Sequence, residues 1–140
     1  MAIERYPVEL ASVAHGASHG VFILNEEEDD DLCHLSFEYP GGKIAAEELD
    51  YFEAMCQIRR ELEAVGWRPI CYGSSKCVYP SGMCRDMGRG LKAYKLRFGH
   101  PARLEDLVGI FETGPDIEPC SVAEQRQFFD QWVQSMGSSE

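Results

Sequence analysis

Residues 25–31 hold six consecutive acids: Glu26, Glu27, Glu28, Asp29, Asp30 and Asp31. Like charges at that density repel one another, which predicts an exposed loop or hairpin connection. A second acidic group follows at Glu47, Glu48, Asp50 and Glu53. Those four could be paired carboxylates for acid–base work, but their spacing around a predicted helix equally fits a solvated face. Their electrostatic use would be to steer and hold a basic partner. Charge of the opposite sign gathers at Arg85, Arg89 and Lys92, beside Gly88 and Gly90. These could hold an anion through side chains and backbone N–H groups, although the GxxxxGK[ST] spacing is absent and no good helix follows. Tyr79 and Tyr94 are interleaved with these cations, an arrangement that could also stack single-stranded bases.

The sulfur and imidazole groups are less patterned. Cys33, Cys56, Cys71, Cys77, Cys84 and Cys120 include no CxxC pair, and structural zinc usually draws on pairs two to four residues apart. His15 and His19 stand four apart, but Gly16 and Gly20 make a helix there doubtful and no HExxH occurs. Cys84 beside Arg85 is a nucleophile candidate with no fixed base. Tyr79-Pro80-Ser81-Gly82-Met83 is a turn and not a GxSxG elbow. We therefore expect no catalytic set, no metal site and no cofactor.

The chain has 140 residues with 24 Asp+Glu against 13 Lys+Arg, a net charge of −11. Such a balance disfavours non-specific binding to nucleic acid or anionic membranes and favours a basic partner. The charge is uneven. Residues 68–103 carry eight cations against Asp86 alone, a net of +7, which leaves −18 in the remainder. Either the two parts neutralise each other across the fold, or they form a basic and an acidic surface. With 44% hydrophobic residues the chain can fill a core, and its length fits one domain, 1–140. No apolar run is long enough for a membrane span, and MAIERYPVEL has neither a basic n-region nor an apolar h-region. The expectation is a cytoplasmic protein with free thiols.

The elements that must position these residues are legible from pattern. Residues 1–20 are hard to assign, because Pro7, Gly16 and Gly20 interrupt them. Val21–Leu24 and Leu32–Tyr39 read as strands, the second by its alternation of Cys33, Leu35, Phe37 and Tyr39 with polar residues. A helix is expected from about Ala45 to Val65, with Tyr51, Met55, Ile58, Leu62 and Val65 on its apolar stripe and Gly66 ending it. A strand follows at Trp67–Tyr72, then a long Gly-rich loop over 73–90, and strands at Leu91–Phe98 and Leu107–Phe111. Ser121 with Glu124 marks the start of a last helix at about Val122–Met136, and residues 137–140 form a frayed tail. Phe22, Phe37, Phe52, Trp67, Phe111, Phe128 and Trp132 read as packing residues. Strands outnumber helices without regular alternation, which predicts α+β: a mostly antiparallel sheet of about five strands, a long central helix and a C-terminal helix.

The run Val78-Tyr79-Pro80-Ser81-Gly82-Met83-Cys84-Arg85-Asp86-Met87-Gly88-Arg89-Gly90-Leu91-Lys92-Ala93-Tyr94 resembles a stretch of small, acidic, uncharacterised bacterial proteins. The likeness extends from about Leu62 to Trp132. In size, acidity and α+β character the chain is similar to the immunity proteins of bacterial polymorphic toxin systems. That resemblance implies a binding protein that blocks a cognate toxin domain, often a basic nuclease, and it carries over no functional residue. Glu26–Asp31, then Glu47, Glu48 and Asp50, are the expected partner-binding residues. The alternative is a small-molecule or anion-binding protein, or an enzyme, that uses Arg85, Arg89 and Lys92.

Overall fold

The computed structural model describes residues 3–12, 14, 16–26 and 31–137. Four strands form an antiparallel meander: β1 (Ile3–Ser12), β2 (Gly16–Asn25), β3 (Cys33–Tyr39) and β4 (Gly42–Glu48). The chain then enters α1 (Tyr51–Ala64) and returns as β5 (Arg68–Ile70), which pairs with β1. The five-stranded sheet runs β4-β3-β2-β1-β5. A second sheet of three short strands, β6 (Val78–Tyr79), β7 (Lys92–Lys95) and β8 (Leu107–Gly109), follows in the order β6-β7-β8. Between β6 and β7 lies the six-residue α2 (Gly82–Met87), and α3 (Val122–Gly137) closes the chain. The architecture is α+β, with the antiparallel sheet, central helix and C-terminal helix that the pattern predicts.

The core forms because alternate residues of the meander fall in register on one face. Phe22 sits opposite Phe37, and Phe37 opposite Ile44; Leu24 sits opposite Leu35, and Leu35 opposite Ala46. Cross-strand rows of this kind are the unit of sheet stabilisation. Gly20 belongs to the same face, and a Cβ there would run into the Phe37 ring. Tyr51, Phe52, Met55, Ile58 and Leu62 of α1 cover that surface, and all are fully buried. The Phe22, Phe37, Phe52 and Phe111 rings are core, as expected; Trp67, Phe128 and Trp132 are only partly buried.

Three expectations are corrected. The helix does not begin at Ala45. Residues 42–48 pair with β3 as β4, because Ile44 and Ala46 complete the apolar rows and tertiary pairing overrides the helix propensity of Ala-Ala-Glu-Glu. Asp50 then caps α1, its Oδ1 accepting from the Glu53 N–H at 2.7 Å. Ile3–Ser12 and Gly16–Asn25 are two ten-residue strands. Pro7 is tolerated because β5 covers β1 only at Glu9–Ala11, so no ladder bond is lost on that side. The Gly-rich 73–90 segment is not one loop but a 3₁₀ turn (Tyr72–Ser74), β6 and α2.

Candidate functional site: an acidic end of the sheet

Antiparallel order carries acids far apart in sequence to one end of the main sheet. Glu26 follows β2, Asp31 precedes β3, Glu47 and Glu48 finish β4, and Asp50 and Glu53 open α1. The register is direct: Cys33 pairs with Glu48 and His34 with Glu47. Glu4, at the start of β1, sits beside Leu24 at the same end. Glu26, Asp31 and Glu47 are exposed and Glu48 is half-buried. Glu47 lies 3.3 Å from His34 Nδ1. Glu27, Glu28, Asp29 and Asp30 lie outside the described residues. Glu47 and Glu48 therefore reach this end from a strand, and not from the helical face expected for them.

Asp50 plays a different part. It is 7% exposed, caps α1 and binds Arg85, whose Nη1 is 3.0 Å from Asp50 Oδ2 and 3.6 Å from Glu53 Oε1. The Arg85 guanidinium also lies 5.2 Å from the Phe52 ring and 5.6 Å from the Tyr79 ring. Burial works against its charge, but Asp50, with Tyr79 and Glu53, outweighs this and holds Arg85 above its ordinary range. Both groups are thus engaged within the protein.

Arg89 closes over the neighbouring strand ends. Its Nη1 is 3.8 Å from Glu26 Oε2, its Nη2 donates to Cys33 Sγ at 3.4 Å, and its guanidinium lies 5.5 Å from the Tyr51 ring. Its φ of 57° makes it the one non-glycine in the left-handed region among the described residues, a conformation that costs energy outside glycine. The docking is tight on both sides of it. The Tyr51 N–H donates to the Arg89 carbonyl at 2.8 Å, and a Cβ on Gly90 would stand 2.7 Å from Asp50 Oδ1. The hydroxyl of that Tyr51 ring is buried without a hydrogen-bond partner among the described residues, and burial pushes its pKa up to about 12.

The three cations considered for anion binding are therefore not gathered on an open site. Arg85 and Arg89 point into acids, and Lys92 is an exposed residue of β7 opposite Gly109. The two charged surfaces meet: Arg68 also pairs with Glu124 at 3.7 Å, and Lys95 with Asp116 at 3.0 Å. For Cys84, His34, His19 and His100 stand on separate elements, and His15 lies outside the described residues. Burial raises the Cys56, Cys71 and Cys120 thiols to about 11, which keeps them protonated. The six cysteines are unbridged.

Sequence reasoning missed a second arginine site. Arg59 of α1 is 1% exposed, and its Nη1 donates to the Gly73 carbonyl at 3.1 Å and to Gln125 Oε1 at 2.6 Å. Its Nη2 donates to the Cys120 carbonyl at 2.9 Å. The Gln125 amide in turn donates to the carbonyls of Gly73, Ser75 and Val78. The only sequence signal was a cation next to the apolar stripe of α1, one position after Ile58. At the opposite end of the sheet, a cavity of about 640 Å³ is lined by Ala11, Ser12, Glu63, Trp67 and Arg68. Its polar groups are occupied: Glu63 accepts from the Val122 N–H at 2.8 Å, and Arg68 faces Glu124.

No family model matches the chain, and no curated protein matches it significantly. Among the described residues no helix is long and apolar enough to cross a membrane.

Proposed function

We propose that this protein binds and neutralises a basic partner, and that it acts as an immunity protein for a bacterial toxin domain. The observation that supports this reading is the convergence of Glu26, Asp31, Glu47 and Glu48 on one end of the main sheet. Arg85 and Arg89 offset part of this charge, and the net negative field left at that end speeds encounter with a basic cleft and orients it. The chain's remaining contribution is rigidity. β2, β3 and β4 are fixed by continuous pairing, so the carboxylates they carry need little ordering when a partner arrives. The protein would act in the compartment where its toxin threatens the producing cell, the cytoplasm.

The experiment expresses the polypeptide encoded next to this chain's gene, alone and together with it. The expected result is growth arrest by the neighbour, relief by this chain, and slower association for a variant with Glu26–Asp31 reversed to Lys. Its rate should also depend less on salt. If the neighbour is harmless, or if the reversed chain binds and protects as well as the original, the proposal fails.

A further inference from the structure

The acidic end also carries apolar side chains that the fold does not use. Leu49 is 79% exposed, Met83 73% and Met87 81%. Leu49 immediately precedes the α1 cap. Met83 and Met87 stand four apart on α2 and so share one face of it. The two places are joined. Arg85, between the methionines in sequence, binds Asp50 and Glu53, and the Arg89 carbonyl accepts from Tyr51 N–H. The outer face of α2 and the Leu49 corner therefore belong to the same end of the molecule. Glu47 and Glu48 immediately precede Leu49 in the chain and the exposed Asp86 lies between the methionines, while the cations of this segment, Arg85 and Arg89, are turned to Asp50, Glu53 and Glu26.

We propose that Leu49, Met83 and Met87 are the anchor for the apolar side of an amphipathic, basic segment of a partner protein. This rests on the basic-partner reading above and adds the contact that gives the complex its lifetime. Isolated exposed apolar residues are ordinary on a protein surface; three large ones at one charged end are not. Methionine is unbranched and polarisable and moulds itself to varied apolar surfaces, which suits a docking face. The surrounding carboxylates decide the occupant. They would repel a second copy of this acidic chain and an anionic lipid surface alike, and they complement Lys and Arg. Burying one such side chain is worth roughly tenfold in affinity or more.

The test uses the full chain, labelled at its methionine methyl groups, with two synthetic 14-residue peptides. One alternates Leu and Lys with helical periodicity; the other has the same charge with Ser in place of Leu. The Leu/Lys peptide should bind at least tenfold more tightly and should shift the Met83 and Met87 resonances. Leu49→Ser, Met83→Ser and Met87→Ser together should remove that advantage while leaving the salt dependence unchanged. Equal binding of both peptides to the unaltered chain overturns the anchor and leaves the acidic reading standing. Shifts confined to other methionines also overturn it, as would a concentration-dependent dimer that the triple substitution abolishes. If neither peptide binds at low salt, the basic-partner reading itself fails and the anchor falls with it.

Discussion

Arg85 reaches from α2 to the carboxylates of Asp50 and Glu53 at the first turn of α1; Arg59 reaches out from the middle of α1 to the carbonyls of Gly73 and Cys120 and to Gln125. Both join α1 to a segment distant in sequence. They differ in burial and in counter-charge. Among the described residues no carboxylate pairs with Arg59, and its Nε has no partner. A buried cation held by neutral acceptors gives geometry, because Gln125 Oε1 and the Cys120 carbonyl would otherwise be orphans. The Arg85 and Arg89 contacts face solvent in part and oppose charge with charge, so they respond to salt and to incoming ions. The first junction thus serves the fold, and the second leaves a tunable surface.

The sharpest way to break this contrast is Arg59→Ala. It leaves Gln125 Oε1 and the Cys120 carbonyl without their donor and strips the Gly73 carbonyl of one of its two, and we expect a loss of about 3 kcal/mol. Urea unfolding measures it; a loss below about 1 kcal/mol would mean that the junction is not structural. At the acidic end, Gly90→Ala should cost about 2 kcal/mol, since φ is 72° and the new Cβ meets the Asp50 carboxylate. Unchanged stability would show that α2 can lift from α1 freely.

Asp50→Ala removes the α1 cap and should cost about 1 kcal/mol. Combined with Arg85→Ala it should cost less than the separate losses added together, because the two share one contact. A strictly additive pair in thermal unfolding would remove the ion pair from the account.

How much of this was legible in the sequence follows from the range of each interaction. The rows Cys33-Leu35-Phe37 and Tyr51-Met55-Ile58-Leu62 declare themselves, because burial imposes the period of the element on the residues. Residues 45–48 mislead. Their intrinsic preference is helical, and only the partner strand, with Leu35 and Phe37 waiting for Ala46 and Ile44, makes them β. The pattern Asp50-x-x-Glu53 marked the true helix start and could have been read. The acidic residues were visible as acids, but their convergence depends on the meander's register. The attachments of Arg85, Arg89 and Arg59 join residues 35, 63 and 66 positions apart, at Asp50, Glu26 and Gln125. No local pattern records such a pairing.

The smallest expected effect tests the most enclosed part of the acidic end. Burial, reinforced by the Cys33 thiol and the Glu26 carboxylate and opposed by Arg89, holds the Tyr51 hydroxyl at about 12. A phenol whose pKa is higher in the folded chain than in the unfolded one adds stability that is fully present below pH 10. That stability is lost as pH rises from 10 towards 12, because the unfolded chain ionises first. Tyr51→Phe should therefore flatten the fall in stability over that interval. At pH 7 it should change stability by less than about 1 kcal/mol, since the hydroxyl has no partner among the described residues to lose. Urea unfolding of both chains at pH 7 and at several points above pH 9 measures both effects. A large loss at pH 7 would reveal a hydrogen bond under Arg89, and an unaltered alkaline slope would place the titration elsewhere.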